Sequence, residues 1–553
     1  MTDAATIDPE STGRRTLFRV PTTLTSRSLV LVLCVAVLTM RLFQSYRDAQ
    51  LVPLDEMSDA CQTRYFAAFR LPFVPQRLAT LMAEHPECVT RENPFPLAPQ
   101  WFALLLLAAL IGLQLVVEPA LRIFRRGLTE LRPEAFPDGG DLFGEVVRAA
   151  GVGHDVRFRC AAGDSRVGGA AFGYPWRKYV VLNGGLVPLA KDDPETFRGV
   201  LLHELAHVRN NDLGITALAV ATWRAFVAVT LIPFAFLFFA DEQFATITHW
   251  GLTAVQLIPF SVLALVARNG VLHGREYLAD ATAARWAAGT SGLDRLLSRD
   301  DTVRHRVRVL FGFHPSPAHR QRALAESRPL WTSGLFDVFL LGALTGLAWP
   351  SVLYVLRRET FFDVGVSSSL RALWPLTAIV GAALAATVAG RARDGRPSGN
   401  SLVSVVFAAG VIGGVHLTFT GSSLGLFPVD VPFSWSMAWC GVLVAVCWLW
   451  TMIVDVTARQ WSWASPRAAI PVLVAVEAAL LTLVLAPLLA SRIDLQIIES
   501  LTSSDSLPHL LDLRGAEPAL VVIVAAAAIF PVTGRLAPVL ARLGSTTKRR
   551  FPG

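Results

Sequence analysis

His203, Glu204 and His207 stand in the stretch GVLLHELAHVRNNDLG, residues 199–214. On a helix, residues four apart are separated by about 40° around the axis, so the two imidazoles leave one face and can hold a single ion between them. Glu204, one residue round, reaches a water on that ion without ligating it. Zinc lowers the pKa of such a water toward about 7; a neighbouring carboxylate takes its proton as the oxygen attacks a peptide carbonyl, then hands it to the leaving amine. With 11 histidines in the chain, the pattern arises by accident on the order of once per hundred such sequences. The alternative is two surface histidines on an amphipathic helix.

A catalytic zinc of this kind needs a third protein ligand and an open fourth position. Glu276 is the best candidate, because its helix leaves one apolar segment as the His203 helix enters the preceding one. A hairpin of two spans brings the two helices together. Asp280, four residues on, shares the face of Glu276 and can accept a hydrogen bond from a ligand imidazole, fixing its tautomer. The alternative is that both acids pair with nearby arginines on a solvated face.

The elements that position these residues are legible in part. KDDPETF (191–197) starts a helix with Asp193 as N-cap and Pro194 at the first helical position, running to about Asn211. Upstream, AAFGYPWRKYVVLNGGLVPL (170–189) reads as a strand pair closing in a turn at Asn183, Gly184 and Gly185. An exposed edge strand here offers an extended peptide a place to pair. Downstream, REYLADATAARWAA (275–288) reads as an Ala-rich helix, followed by FHPSPAHRQRAL (313–324).

Around this segment the chain is oily. Of 553 residues, 53% are hydrophobic and 17% charged, and the mean hydropathy is +0.47. That composition belongs to membrane proteins. Apolar runs long enough to cross about 30 Å of hydrocarbon fall near 28–43, 99–117, 214–240, 250–267, 334–356, 373–389, 401–420, 433–455, 468–490 and 518–534. The predicted fold is a multi-pass α-helical membrane protein of about ten spans, carrying a cytoplasmic α+β zincin-like metallopeptidase domain built from two segments. Its expected divisions are a tail (1–27), two spans around an extracytoplasmic loop at 44–98 (28–117), the metallopeptidase domain with two spans inside it (118–332), a membrane region of about six spans (333–535) and a basic tail (536–553).

The net charge is +7, yet the arginines flank spans, as in RIFRRG (122–127), RARDGR (391–396) and KRR (548–550). This is the positive-inside pattern. It points to anionic lipid headgroups as partners rather than nucleic acid, and it sets the N-terminus, the site and the basic tail in the cytoplasm of a bacterial-type plasma membrane. The first run reads as a retained anchor, since no small-x-small cleavage site follows it. Cys61 and Cys88, together in the extracytoplasmic loop, are a candidate disulfide. Cys34, Cys440 and Cys447 read as apolar filler within spans.

LLHELAHVRNND, REYLADATAA and HPSPAHRQRAL, in that order with two spans between the first and second, resemble the HtpX-type integral-membrane zinc metallopeptidases, relatives of the CAAX prenyl endopeptidases. The resemblance covers roughly residues 118–330. It implies one zinc held by His203, His207 and Glu276, with Glu204 as general base and Asp280 behind a ligand histidine. It implies a polypeptide substrate drawn from membrane or membrane-associated proteins, and a role in membrane protein quality control. His314 and Arg320 match the family's histidine-proline segment ending in arginine, where residues bind substrate or stabilise an oxyanion. GGAAFGYP (168–175) resembles the family's substrate-side strand, although Gly or Ala replaces the asparagine often found before its alanine.

The six predicted spans after residue 333 depart from the family. They carry Asp337, His416, Asp455 and Glu477 in or near apolar runs, where ionisable groups are rare. Two rival readings remain at this level. One is a signalling receptor of the antirepressor type with the same membrane module; the other is a scaffold or transporter with zinc as a structural staple. Two imidazoles and a carboxylate would also accept cobalt or manganese.

Overall fold

A computed structural model describes residues 22–49, 99–131, 140–152, 156–174, 176–240, 247–287, 314–325, 335–359, 366–393, 400–418, 433–460 and 474–482, with the isolated positions 292, 295, 297 and 485. Cys61, Cys88, the tail 536–553 and the run at 518–534 lie outside the described residues. The chain divides into two compact units. The first is Met1–Ser28, Leu110–Ala221 and Val266–Trp331; the second is Leu29–Ala109, Thr222–Leu265 and Thr332–Gly553.

Among the described residues, four helices are long and apolar enough to cross a membrane, over Trp101–Arg125, Leu213–Phe239, Leu257–Trp286 and Cys440–Arg459. Shorter apolar stretches lie at Leu335–Ala348, Leu376–Ala389 and Leu402–Val415. The helices are α1 (Thr22–Ala49), α2 (Pro99–Arg125), α3 (Gly140–Ala150), α4 (Leu189–Asp192), α5 (Pro194–Asn210), α6 (Leu213–Phe226) and α7 (Ile232–Ala240), with a π-helical turn at Val227–Leu231 joining α6 to α7. They continue as α8 (Ile247–Trp286), α9 (Pro317–Ala325), α10 (Leu335–Glu359), α11 (Val366–Arg393), α12 (Asn400–Thr418) and α13 (Phe433–Gln460).

The first unit is built on a four-stranded sheet of β1 (Thr129–Glu130), β2 (Val156–Ala161), β3 (Gly169–Tyr174) and β4 (Arg177–Asn183), in the order β1-β2-β4-β3. β2 and β4 are parallel, while the β3–β4 hairpin is antiparallel with Ala170 opposite Val181 and Phe172 opposite Tyr179. Residues 179–182 of β4 are all buried, as befits a strand covered on both faces. Its side chains alternate sides at period two. Val180 and Leu182 join Phe143 and Val146 of α3 and Phe197, Val200, Leu201 and Leu205 of α5 in the main core. Tyr179 and Val181 join Phe172, Ala161 and Leu128 in a smaller cluster on the other face, against Ile123 of α2.

α8 extends the sequence reading. The run expected to end near residue 267 and the helix expected from 275 form one 40-residue helix. Gly270 and Gly274 do not break it; they lie against Arg27 and Leu24 of α1.

In the second unit, α10 and α12 approach with backbones touching. A Cβ on Gly346 would lie 3.0 Å from the Gly414 Cα, and one on Gly410 would lie 2.8 Å from the Ala343 nitrogen. Gly342-x-x-x-Gly346 faces Gly410-x-x-x-Gly414, the small-residue spacing that lets apolar helices pack closely in lipid. Ser404 and Thr451 hydroxyls add a 2.6 Å hydrogen bond between α12 and α13. Among the charges of this region, Asp455 is paired with Arg459 at 2.9 Å and 3.0 Å, while the Glu477 carboxyl is buried; the side chain of His416 lies outside the described residues. The thiols of Cys34 and Cys447 are buried and free.

Candidate metal centre

α5 opens where its first residues direct. The Asp193 carboxylate accepts from the Thr196 N–H at 3.3 Å and from the Thr196 hydroxyl at 2.7 Å, with Pro194 at the first helical position. The helix is buried on nearly every side, and His203, Glu204 and His207 are 7%, 6% and 1% exposed. This is not the surface helix of the alternative reading.

α8 brings Glu276 to the same point. Its Oε2 lies 3.6 Å from His203 Nε2 and its Oε1 lies 3.6 Å from His207 Nε2. One ligand atom from each of the three residues falls within 4.8 Å of the others. A tetrahedral zinc with bonds of about 2.0–2.2 Å has ligand atoms about 3.4 Å apart, so the spacing suits that ion.

Each imidazole is turned by a carboxylate behind it. His203 Nδ1 is 2.8 Å from Asp280 Oδ1, and His207 Nδ1 is 3.0 Å from Asp212 Oδ2. An Nδ1–H donated to a carboxylate leaves Nε2 as the free lone pair, aimed at the centre. Asp280 thus lies behind His203. Asp212 was missed: nothing in the spacing of HVRNND indicates that the chain doubles back. It does so because Asn211 adopts the left-handed conformation (φ 55°) and its N–H caps the helix on the His207 and Val208 carbonyls, swinging Asp212 beside His207. Asn tolerates that conformation better than most residues.

Two guanidiniums complete the shell. Arg275 donates through Nε to Glu276 Oε1 at 2.9 Å and through Nη1 to the Thr216 hydroxyl at 3.0 Å. Arg320, on α9, grips Asp280 with Nε at 2.7 Å and Nη2 at 2.5 Å. It therefore stands behind His203 rather than over the open side of the centre. His314 is 65% exposed, with Nδ1 3.0 Å from Glu276 Oε2.

Formal charge argues for a divalent cation. Glu204, Asp212, Glu276 and Asp280 are buried, and against these four carboxylates stand Arg275 and Arg320, leaving two negative charges when both imidazoles are neutral. Burial by itself lowers the pKa of His203, but the hydrogen bonds to Asp280 and Glu276 outweigh it and push the value up to about 10 in the metal-free protein. A proton there does in part what a metal ion does in full.

Glu204 lies against the edge strand. A Cβ on Gly169 would come 2.9 Å from Glu204 Cγ and 2.9 Å from the Val181 carbonyl. Glycine at the start of β3 leaves room for the carboxylate between the helix and the strand.

The fold and the centre define a membrane-associated metallopeptidase type. A profile for peptidase family M48 matches residues 141–328. The HtpX protease of Chromohalobacter salexigens is 31% identical over 219 residues, which cover 34% of this chain and 70% of that protein. An HtpX homologue of Pelotomaculum thermopropionicum is 31% identical over 136 residues, 24% of this chain and 48% of its own length. An HtpX homologue of Persephonella marina is 25% identical over 221 residues, 40% of this chain and 74% of its own. The chain belongs to the HtpX-like M48 metallopeptidase family. It spans about half the length of the Pelotomaculum relative and of one from Desulforapulum autotrophicum, at 48% and 47%. No solved structure matches it significantly.

Proposed function

We propose that this chain is a multi-pass membrane zinc endopeptidase that hydrolyses peptide bonds of membrane or membrane-associated proteins on the cytoplasmic side, in membrane protein quality control. The observation that carries the reading is the pair of Nε2 atoms, each 3.6 Å from a Glu276 oxygen, with each Nδ1 held by its own carboxylate.

His203, His207 and Glu276 would hold the ion, and bound zinc supplies an acidified water and a Lewis acid for the substrate carbonyl. Glu204 takes the proton of the attacking water and returns it to the leaving amine. Its place beside Gly169 sets it next to a peptide lying along β3. The β3–β4 register and the bond from the Asn183 N–H to the Gly168 carbonyl turn the polar backbone groups of Gly169, Ala171 and Gly173 outward, as an added strand requires. His314, 65% exposed beside Glu276, is the candidate to stabilise a substrate oxyanion.

The test is metal content and casein cleavage of detergent-purified protein, wild type beside Glu204→Gln and Glu276→Ala. One zinc per chain, activity lost in both variants and metal weakened in Glu276→Ala alone support the reading. A protein with no bound metal sinks it, and activity that survives in Glu204→Gln removes the proposed base.

A further inference from the structure

β3 does not end in open water. Phe172 lies under the Arg122 guanidinium of α2, 5.7 Å from the ring centroid, and two residues on the Tyr174 hydroxyl donates to the Val116 carbonyl at 3.1 Å. From Arg122 back to Val116 is six residues of helix, about 9 Å, so the strand descends along α2 toward the apolar part of its span. The polar boundary of that span is marked by Glu118 and Arg122, paired at 3.0 Å, with Arg125 and Arg126 beyond them. Val116 is on the apolar side of this boundary.

The hairpin tip is built for such a depth. Trp176 stacks on Tyr174 with ring centroids 5.2 Å apart and planes 6° from parallel, yet is 72% exposed. Leu113 and Val116 of α2, on the apolar side of that boundary, are 57% and 59% exposed. Exposed apolar side chains on a membrane helix face lipid, and Trp and Tyr collect where hydrocarbon meets headgroups. Arg177 at the hairpin, and Arg125 and Arg126 on the polar side of the boundary, are all exposed and offer the positive charge that anionic headgroups match.

We propose that the β3–β4 hairpin tip is seated in the lipid–water interface, and that β3 consequently works as a ruler measuring the cut from the membrane. This deepens the peptidase reading and rests on it. Glu204 lies at Gly169, one end of β3, and the bilayer lies at Tyr174, the other. Five strand steps of about 3.3 Å separate them, about 17 Å in all. A chain that leaves the bilayer beside the hairpin and pairs with the outward groups of Gly169, Ala171 and Gly173 meets Glu204 about five residues later. The substrate class is then the juxtamembrane segment of a membrane-anchored polypeptide, chosen by distance from the bilayer.

The experiment uses the full chain in vesicles of phosphatidylcholine and phosphatidylglycerol. The substrate has one apolar helix followed, on the side of Arg125, by a uniform repeating linker that presents the same bond at every distance. The same linker without the helix serves as a soluble peptide. Mass spectrometry maps the cuts, and benzoylphenylalanine at position 176 reports what the hairpin tip touches. Cuts clustered about five residues from the helix end, with crosslinks from position 176 to phospholipid, are expected. Cuts spread evenly along the linker, or a position 176 that crosslinks no lipid, overturn the ruler while leaving the peptidase intact. Cleavage of neither linker removes the peptidase reading and the ruler with it, and crosslinking still decides the seat of the hairpin.

Discussion

Asp212 stands five residues beyond His207 in the chain, yet its carboxylate is 3.0 Å from Nδ1 of that imidazole. It is fully buried, and its other oxygen, Oδ1, has no hydrogen-bond partner among the described residues. Among the described residues its side chain bonds to the histidine, and losing that bond frees the ring to turn. Asp212→Ala is expected to weaken zinc binding by about 10–100-fold, read by competition with a chromogenic chelator. Affinity equal to wild type would mean that the imidazole is held by packing alone.

Arg320 separates two roles. If it acts through Asp280, as its double hydrogen bond suggests, Arg320→Lys loses the fork that matches a carboxylate and zinc affinity falls by about tenfold. If it acts on the oxyanion, kcat falls and the metal stays. The structure favours the first outcome, and titrating both quantities in one variant distinguishes them.

Gly169→Ala puts a Cβ 2.9 Å from Glu204 Cγ. The Val181 carbonyl on the other side belongs to the sheet backbone and cannot yield, so Glu204 must move. A shift of about 1 Å at a catalytic group costs on the order of 10²-fold in rate. Cleavage should fall by that order with the zinc content unchanged; a variant that loses its metal would instead point to damage of the whole helix.

Zinc uptake by chelated protein should depend on pH with a definite sign. The carboxylates hold His203 protonated up to about pH 10 in the metal-free state, and the ion must displace that proton to reach the ring. Affinity is expected to rise with pH by about tenfold per unit below that value. Calorimetry in buffers of different ionisation enthalpy measures the proton release; uptake with no release at pH 7 would contradict it.

Gly346→Val tests the second unit. The new side chain would meet the Val415 nitrogen at 2.7 Å and the Gly414 Cα at 3.0 Å, both backbone, so α10 and α12 must separate. Overpacking of this kind costs about 1–3 kcal/mol. A lower thermal midpoint in detergent is expected, with zinc content retained.

The candidate ligands were legible in part because helical geometry is local. His203 and His207, four apart, share one face of α5, and Glu276 and Asp280 share one face of α8, with no tertiary information needed; that the acids join the histidines at one ion is what the resemblance to the HtpX-type enzymes implies. Asp193 and Pro194 likewise mark the start of α5 through bonds made within one turn. Asp212, Arg275 and Arg320 depend on chain reversals and on docking between elements far apart in sequence. A left-handed Asn211 redirects one carboxylate, and the docking of α9 carries a guanidinium 40 residues from Asp280 onto it.

The same division holds for the strand. Its residues mark β3 and β4 by themselves, through β-favouring types and a turn. That β3 begins at Glu204 and ends on Val116 is decided only by packing, because the aromatic face of the strand and the polar end of α2 share no sequence signal until the sheet lays one along the other.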